Sequence, residues 1–482
     1  LRDIIRPMRN LLLALAIAAC GGHGANPAEP TTGAATAAFG AARWVPANPT
    51  YVIASKTVRD GQRALHDGLE DLGMAVGFNV SEASQMLQQL LGVDPLSADA
   101  LAGIGIDLAG GAAVFSEDVT PTFVVHLTSP EAFASFIERE RGRGATTVST
   151  IADGIDLETA RTGDFRVTWG VDKDWLWLHF GAGGTDWFTH SHHAAAAAWT
   201  GAWQWAQEHA GKASVVGFAR AQSLLASVMA RVDNGQQCLR QLGVVDQVGL
   251  SFDVDGTSAR ARLSFELGPA APQLASHLLA PPPGWATAAQ GAPLAAEWNL
   301  DTTAVATWWQ PCAGVLELPA DTFTQDGVRA ARAFVLALDP DSKEGSGAVA
   351  LDLSNDQLLA PYLDKVSHFS SDRTFGPYKG HHVAIPFVAK ADYVYDGKLA
   401  IAAMGDGLMD KIAAGTSSAS PPVFAASIAP GGMSKAAWTW LLSQAGPRYV
   451  RLFERLSNWQ DARVTVTLEG SALVVEVAGK HR

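Results

Sequence analysis

Two stretches of this chain, far apart in sequence, spell the same succession of local structures, and that correspondence constrains the fold more than any other feature. Val125 to Ile137 (VHLTSPEAFASFI) and Leu351 to Leu363 (LDLSNDQLLAPYL) each run from alternating strand residues into a polar Ser, Thr or Asn cap and then into an apolar-periodic helix. The spacing is 226 residues, His126 against Asp352, and the same spacing carries Gly154 onto Gly380. Trp169 to Gly181 lies against Tyr393 to Gly405 at a spacing of 224, and both read as hairpins, turning at Asp172-Lys173 and Asp396-Gly397. A third pair, Ser214 to Leu267 and Val423 to Gly479, opens on a short strand, passes through a helix and closes on a hairpin that turns at Asp255-Gly256 or Glu469-Gly470.

These patterns predict an α+β protein of two tandem similar halves, each of mixed or antiparallel sheets with packed helices, arising by internal duplication; chance recurrence of strand-helix-hairpin units is the alternative. At 482 residues the chain exceeds one ordinary core. The first half is read as residues 44–267 and the second as 292–482, joined by a Pro/Ala-rich connector, 268–291. Charged residues make up only 17% of the chain against 48% hydrophobic, which fits compact folded units rather than a disordered polyelectrolyte. A formal charge of -13 with no basic stripe excludes a nucleic-acid partner, because phosphate binding needs clustered Lys and Arg. No apolar run reaches the roughly 18 to 20 residues that a membrane-crossing helix needs.

The start of the chain has its own logic. Arg2, Arg6 and Arg9 form a positive n-region before the apolar run Leu11 to Ala19, which is too short to span a bilayer and reads as an export signal. It ends in Ile17-Ala18-Ala19-Cys20-Gly21-Gly22, which resembles the lipobox of bacterial lipoproteins. The resemblance implies that residues 1–20 are a signal peptide, that the Cys20 thiol takes a lipid, and that the membrane is a partner through this N-terminal anchor. Gly21 in place of an aspartate implies, by the same resemblance, the outer membrane, facing the periplasm or the cell surface. The alternative, a chance cysteine in an ordinary secretory signal, still exports the protein. Residues 21–43, rich in Gly, Ala, Pro and Thr, read as a flexible tether.

Cys238 and Cys312 are the remaining cysteines, in a compartment where disulfides persist, and are expected to pair across the junction of the halves; two separate buried thiols are the alternative. Their spacing excludes a C-x-x-C redox pair or a zinc cluster. Pro46 to Val52 (PANPTYV), Leu91 to Leu101 (LGVDPLSADAL) and Gly105-Ile106-Asp107 are similar to a bacterial family of exported or membrane-anchored proteins, domain of unknown function 3352. That likeness brings no activity with it.

Possible chemistry is sparse. His190, His192 and His193 are the densest metal-capable cluster, but a tract that caps or flanks a surface helix is the preferred reading, and no metal or other cofactor is expected. Glu344-Gly345-Ser346-Gly347 lacks the register of a nucleophile elbow, and Gly181 to Gly184 are read as leading to Trp187 and the His tract without opening a helix, so no phosphate cradle is expected. Trp175 and Trp177 alternate along one strand and share a face, either as core or as a surface for a carbohydrate, lipid or protein partner. The function expected is that of a non-catalytic envelope scaffold that binds a protein or lipid partner. The alternatives are a carrier or chaperone for an apolar ligand such as lipid, and a metal-dependent or hydrolytic envelope enzyme.

Overall fold

The computed structural model describes residues 39–481 except 47–48, 65–80, 82–83, 86–87, 90–91, 119, 143–146, 163–164, 195–212, 224–243, 256, 307–326, 340–343, 356, 386–388, 416–419 and 445–456. Cys20, Cys238 and Cys312, with the signal peptide and most of the tether, lie outside the described residues.

The α+β expectation is corrected. The described chain is predominantly β, with twenty strands whose pairings within each unit are antiparallel, in place of two halves built from sheets and packed helices. The reason is in the connections. About half of the successive strands are joined by hairpin turns, which make antiparallel ladders directly, so that among the described residues strands outweigh helices.

The chain divides into two compact units, Leu1–Val228 with Val245–Phe265, and Met229–Val244 with Glu266–Arg482. In the first, the strands are β1 (Tyr51–Ser55), β2 (Ala112–Ser116), β3 (Thr122–His126), β4 (Thr147–Ala152), β5 (Ile155–Thr162), β6 (Phe165–Asp172), β7 (Trp175–Phe180), β8 (Val215–Arg220), β9 (Gln247–Asp255) and β10 (Ser258–Glu266). Helices α1 (Ala98–Gly103), α2 (Pro130–Arg141) and α3 (Gly184–Ala194) lie in this unit, with a 3-10 turn at Gly40–Trp44. The strands pair in the order β4-β5-β6-β7-β3-β2-β1-β8-β9-β10.

In the second unit α4 (Ala270–Ala275) and α5 (Trp285–Ala288) precede β11 (Leu294–Trp298), β12 (Val328–Asp339) and β13 (Glu344–Leu353). After α6 (Ala360–Ser367) come β14 (Ser370–Phe375), β15 (Tyr378–Ile385), β16 (Ala389–Tyr395) and β17 (Leu399–Met404). Then follow α7 (Leu408–Ala413), β18 (Phe424–Ile428), α8 (Lys435–Gln444), β19 (Trp459–Glu469) and β20 (Ala472–His481). The order is β14-β15-β16-β17-β13-β12-β11-β18-β19-β20, the same succession as in the first unit.

The turns follow the local chemistry. Asp172 faces Trp175 across the β6–β7 turn, and Lys173 there takes a left-handed φ of 58°. Glu469 faces Ala472 across the β19–β20 turn, where Gly470 supplies a φ of 62° at no steric cost.

Strand β7 (WLWLHF) shows why the first unit needs both faces of its sheet covered. Trp175 and Trp177 point to a core with Trp44, Phe115, Val124, Phe188 and Val216, whereas Leu176 points to a second core with Leu101, Leu127, Phe133, Phe136 and Trp169. A strand buried on both faces reads as an unbroken apolar run. The second unit gathers Trp285, Phe334, Phe375, Val394, Ile401, Met409 and Ile412 into one core. Trp285 belongs to the segment that composition marks as connector, and α5 fits closely against α7: a Cβ on Gly284 would lie 1.9 Å from the Lys411 carbonyl oxygen.

A polar network fixes the same segment. The Arg332 side chain, 0% exposed, donates from Nε to Asn299 Oδ1, from Nη1 to Asp352 Oδ2 at 2.6 Å, and from Nη2 to the Leu279 carbonyl at 2.8 Å. Nearby, Arg329 donates to Asp301 from Nε at 3.0 Å and Nη2 at 2.5 Å, and the Thr303 hydroxyl donates to the same carboxylate at 2.7 Å. Burial alone would push the Asp301 carboxyl up, but these donors outweigh it and hold it below the usual carboxylate range. A depressed folded value means that the contribution of Asp301 to stability is present above the unfolded value and is lost as pH falls through the folded one. The difference in urea midpoint between the native chain and Asp301→Asn is therefore expected to narrow as pH is lowered from about 5 to about 3. A difference that widens on acidification would contradict this.

Candidate functional site

The aromatic pair that the sequence offers as a binding surface lies inside. Trp175 is 9% exposed and Trp177 0%. Phe188 of α3 meets Trp177 edge-on at 5.2 Å between ring centroids, and Trp44 packs on Phe188 at 6.3 Å. The Arg43 guanidinium lies over the Trp175 ring at 4.9 Å, and His126 meets that ring edge-on at 5.2 Å.

The histidine tract lies within α3, where His190 meets one carboxylate and His192 and His193 share another. His190 Nδ1 is 3.2 Å from Glu117, His192 lies between Asp153 at 3.3 Å and Asp172 at 3.6 Å, and His193 Nε2 is 3.3 Å from Asp153. His192 also stacks on Phe188 at 5.4 Å. Among the described residues no three His, Cys, Asp or Glu side chains are grouped so as to hold a metal ion. These contacts tie α3 to strand ends and turns.

The glycines before α3 differ from their reading in the sequence, since Gly184 does open a helix. Packing is the reason: a Cβ on Gly184 would lie 2.2 Å from Thr168 Oγ1 on β6. Asp186 in the first turn of α3 makes that end a poor seat for a phosphate.

Sequence reading passed over His179, which is 0% exposed. Its Nδ1 is 2.9 Å from Thr122 Oγ1, and its ring stacks between Trp177 at 5.8 Å and Trp187 at 5.6 Å. Burial lowers its pKa, against the opposing pull of Asp118 and the Ala182 backbone. Nearby, burial pushes the Glu117 carboxyl up while His190 and Arg220 pull it down. A histidine walled in by two indoles has no approach for a substrate, so this polar cluster belongs to the core. The alternation Trp177-Leu178-His179 was the one signal for it.

Exposed apolar side chains occur in both units, and exposed aromatic rings beside a helix occur in the second. Helix α2 of the first unit is capped by Ser129, which accepts from the Ala132 amide, and it buries Phe133 and Phe136. Helix α6 buries no residue. Leu359, Tyr362, Leu363 and Val366 follow the i, i+3, i+4, i+7 spacing of one helix face, yet Tyr362 is 66% exposed, as is 52% of Phe369 just past the helix end. The Lys365 amine lies 5.8 Å from the centre of the Tyr362 ring. On β13 and β17, Ala348, Ala350, Ile401 and Ala403 point into the core, whereas Val349 and Met404 on the other face are 44% and 39% exposed. Apolar side chains left in water on a helix face and on a sheet face are what a contact surface requires.

Among the described residues no helix is long and apolar enough to cross a membrane. No family model matches the chain, and no curated protein matches it. Among solved structures, crystal forms III, IV and I of TP0453 are similar at TM-scores of 0.28, 0.28 and 0.26 and identities of 10%, 11% and 10%. The similarity spans 47%, 51% and 47% of this chain and 79%, 88% and 78% of theirs. Likeness at that level carries no argument about fold or role.

Proposed function

We propose that this chain is a lipoprotein of the bacterial envelope, anchored to the outer membrane through a lipid on Cys20, whose β body is a non-catalytic scaffold that binds a partner through the apolar surface around α6. The observation that carries the reading is the exposure of Tyr362 and Phe369 beside a helix that buries none of its residues. Exposed aromatic side chains of this kind act as interface anchors, since each places a large rigid apolar area against a partner at small entropic cost.

The interior supports a scaffold over a carrier. An apolar-ligand carrier needs an internal cavity, whereas Trp44 and Trp177 both pack against Phe188 in the first unit's core.

The test is co-purification of the lipidated protein from its own envelope, with mass spectrometry of proteins and lipids, for the native chain and for Tyr362→Ser with Phe369→Ser. Both side chains are more than half exposed, so the double variant is expected to keep its unfolding free energy within about 1 kcal/mol while losing the specific partner. An unchanged set of co-purified molecules would refute the assignment of this surface. Lipid recovered in place of protein would favour the carrier. Loss of acyl labelling in Cys20→Ser tests the anchor separately.

A further inference from the structure

We propose that the β4 edge of the first unit is the place where a second copy of this chain adds, strand to strand. Strand β4 ends the pairing order of its unit, and among the described residues it pairs with β5 alone. The far side of such a strand presents a row of ladder N–H and C=O groups whose natural complement is another strand. A bilayer does not supply those partners.

The edge also lacks the usual protection. Natural edges are blunted by charge or proline, and the corresponding strand of the second unit, β14, carries Asp372, 98% exposed at its side chain, and Arg373. Strand β4 reads Thr147-Val148-Ser149-Thr150-Ile151-Ala152, without a charge or a proline. Val148 is 65% and Ile151 71% exposed. Three positions apart on a strand, they lie on opposite faces, so an added strand gains an apolar neighbour on each side.

Charge selects the occupant. With a formal charge of -13, two copies repel over most approaches. An antiparallel pairing of β4 with itself sets uncharged residues opposite uncharged residues in every register across the six positions. The contact is two-fold symmetric and closes on itself, giving a dimer rather than a filament. Two short strands bury less than the roughly 1,000 Å² of a stable interface, so the association is expected to be weak and concentration-dependent.

The test is sedimentation equilibrium of the full chain in a non-ionic detergent, up to about 0.5 mM, the range in which interfaces this small assemble. The native chain should pass reversibly from monomer to dimer. Ile151→Lys, which sets like charges against each other at the pairing edge, should weaken dimerisation by about tenfold or more, with Val148→Lys acting in the same direction and the thermal midpoint unchanged in both. A native chain that stays monomeric throughout overturns the proposal. So does a dimer that survives Ile151→Lys and Val148→Lys, or one that Phe369→Lys abolishes while they leave it intact.

Discussion

Arg332→Ala is expected to destabilise the second unit by about 3–5 kcal/mol, measured as a loss of unfolding free energy in urea. The guanidinium is wholly buried and serves three acceptors at once: Asn299, Asp352 and the Leu279 carbonyl. Truncation leaves the wholly buried Asn299 and the partly buried Asp352 and Leu279 oxygens without this donor, and a buried acceptor stranded in that way costs more than the intact bond contributes. Arg332→Lys should recover only part of the loss, because an ammonium lacks the planar fork that reaches three directions from one carbon. If Arg332→Ala cost less than about 1 kcal/mol, the network would not be holding the segment around Leu279.

Trp177→Ala is expected to cost a similar amount, about 3–5 kcal/mol, through a cavity among Trp44, Phe115 and Phe188. The experiment also separates the two roles that the sequence left open for this residue. A surface tryptophan would lose a partner with little change in stability, whereas a core tryptophan should lower the unfolding free energy and spare partner binding at α6. Trp177→Phe, which keeps much of the volume, should restore most of the loss. The reverse pattern, weakened binding at unchanged stability, would place Trp177 in an interface.

Much of the strand layout was legible because hairpins are local. The turns near Asp172, Asp255, Asp396 and Glu469 all join paired strands, since polar residues and glycine between alternating runs leave few other conformations. The class was misjudged for a related reason. Helical periodicity at Pro130 to Ile137 and Ala360 to Leu363 suggests packed helices, while the strands that follow, β4 with β5 and β14 with β15, have weaker patterns because most of β4 and β14 is exposed. A strand with both faces toward water has no alternation to show.

The site was less legible than the fold. Spacing placed Trp175 and Trp177 on one face, but which face is core depends on Trp44 and Phe188, residues distant in sequence that no local pattern links to β7. Tyr362 and Phe369 carry a periodicity that any amphipathic helix would show, and their exposure beside a helix with no fully buried residue sets them apart. Composition marks residues 268–291 as a connector and gives no sign that Trp285, 4% exposed, belongs to the second core.

That placement of Trp285 redraws the border of what can be inherited or transplanted as a piece. A gene fragment cut where the composition changes, at Ala292, would encode all ten strands of the second unit and still lack its largest core ring and the carbonyl that receives Arg332. The heritable module starts upstream of Leu279, and a cut at Glu266, where the second unit resumes, keeps both features with its ten strands.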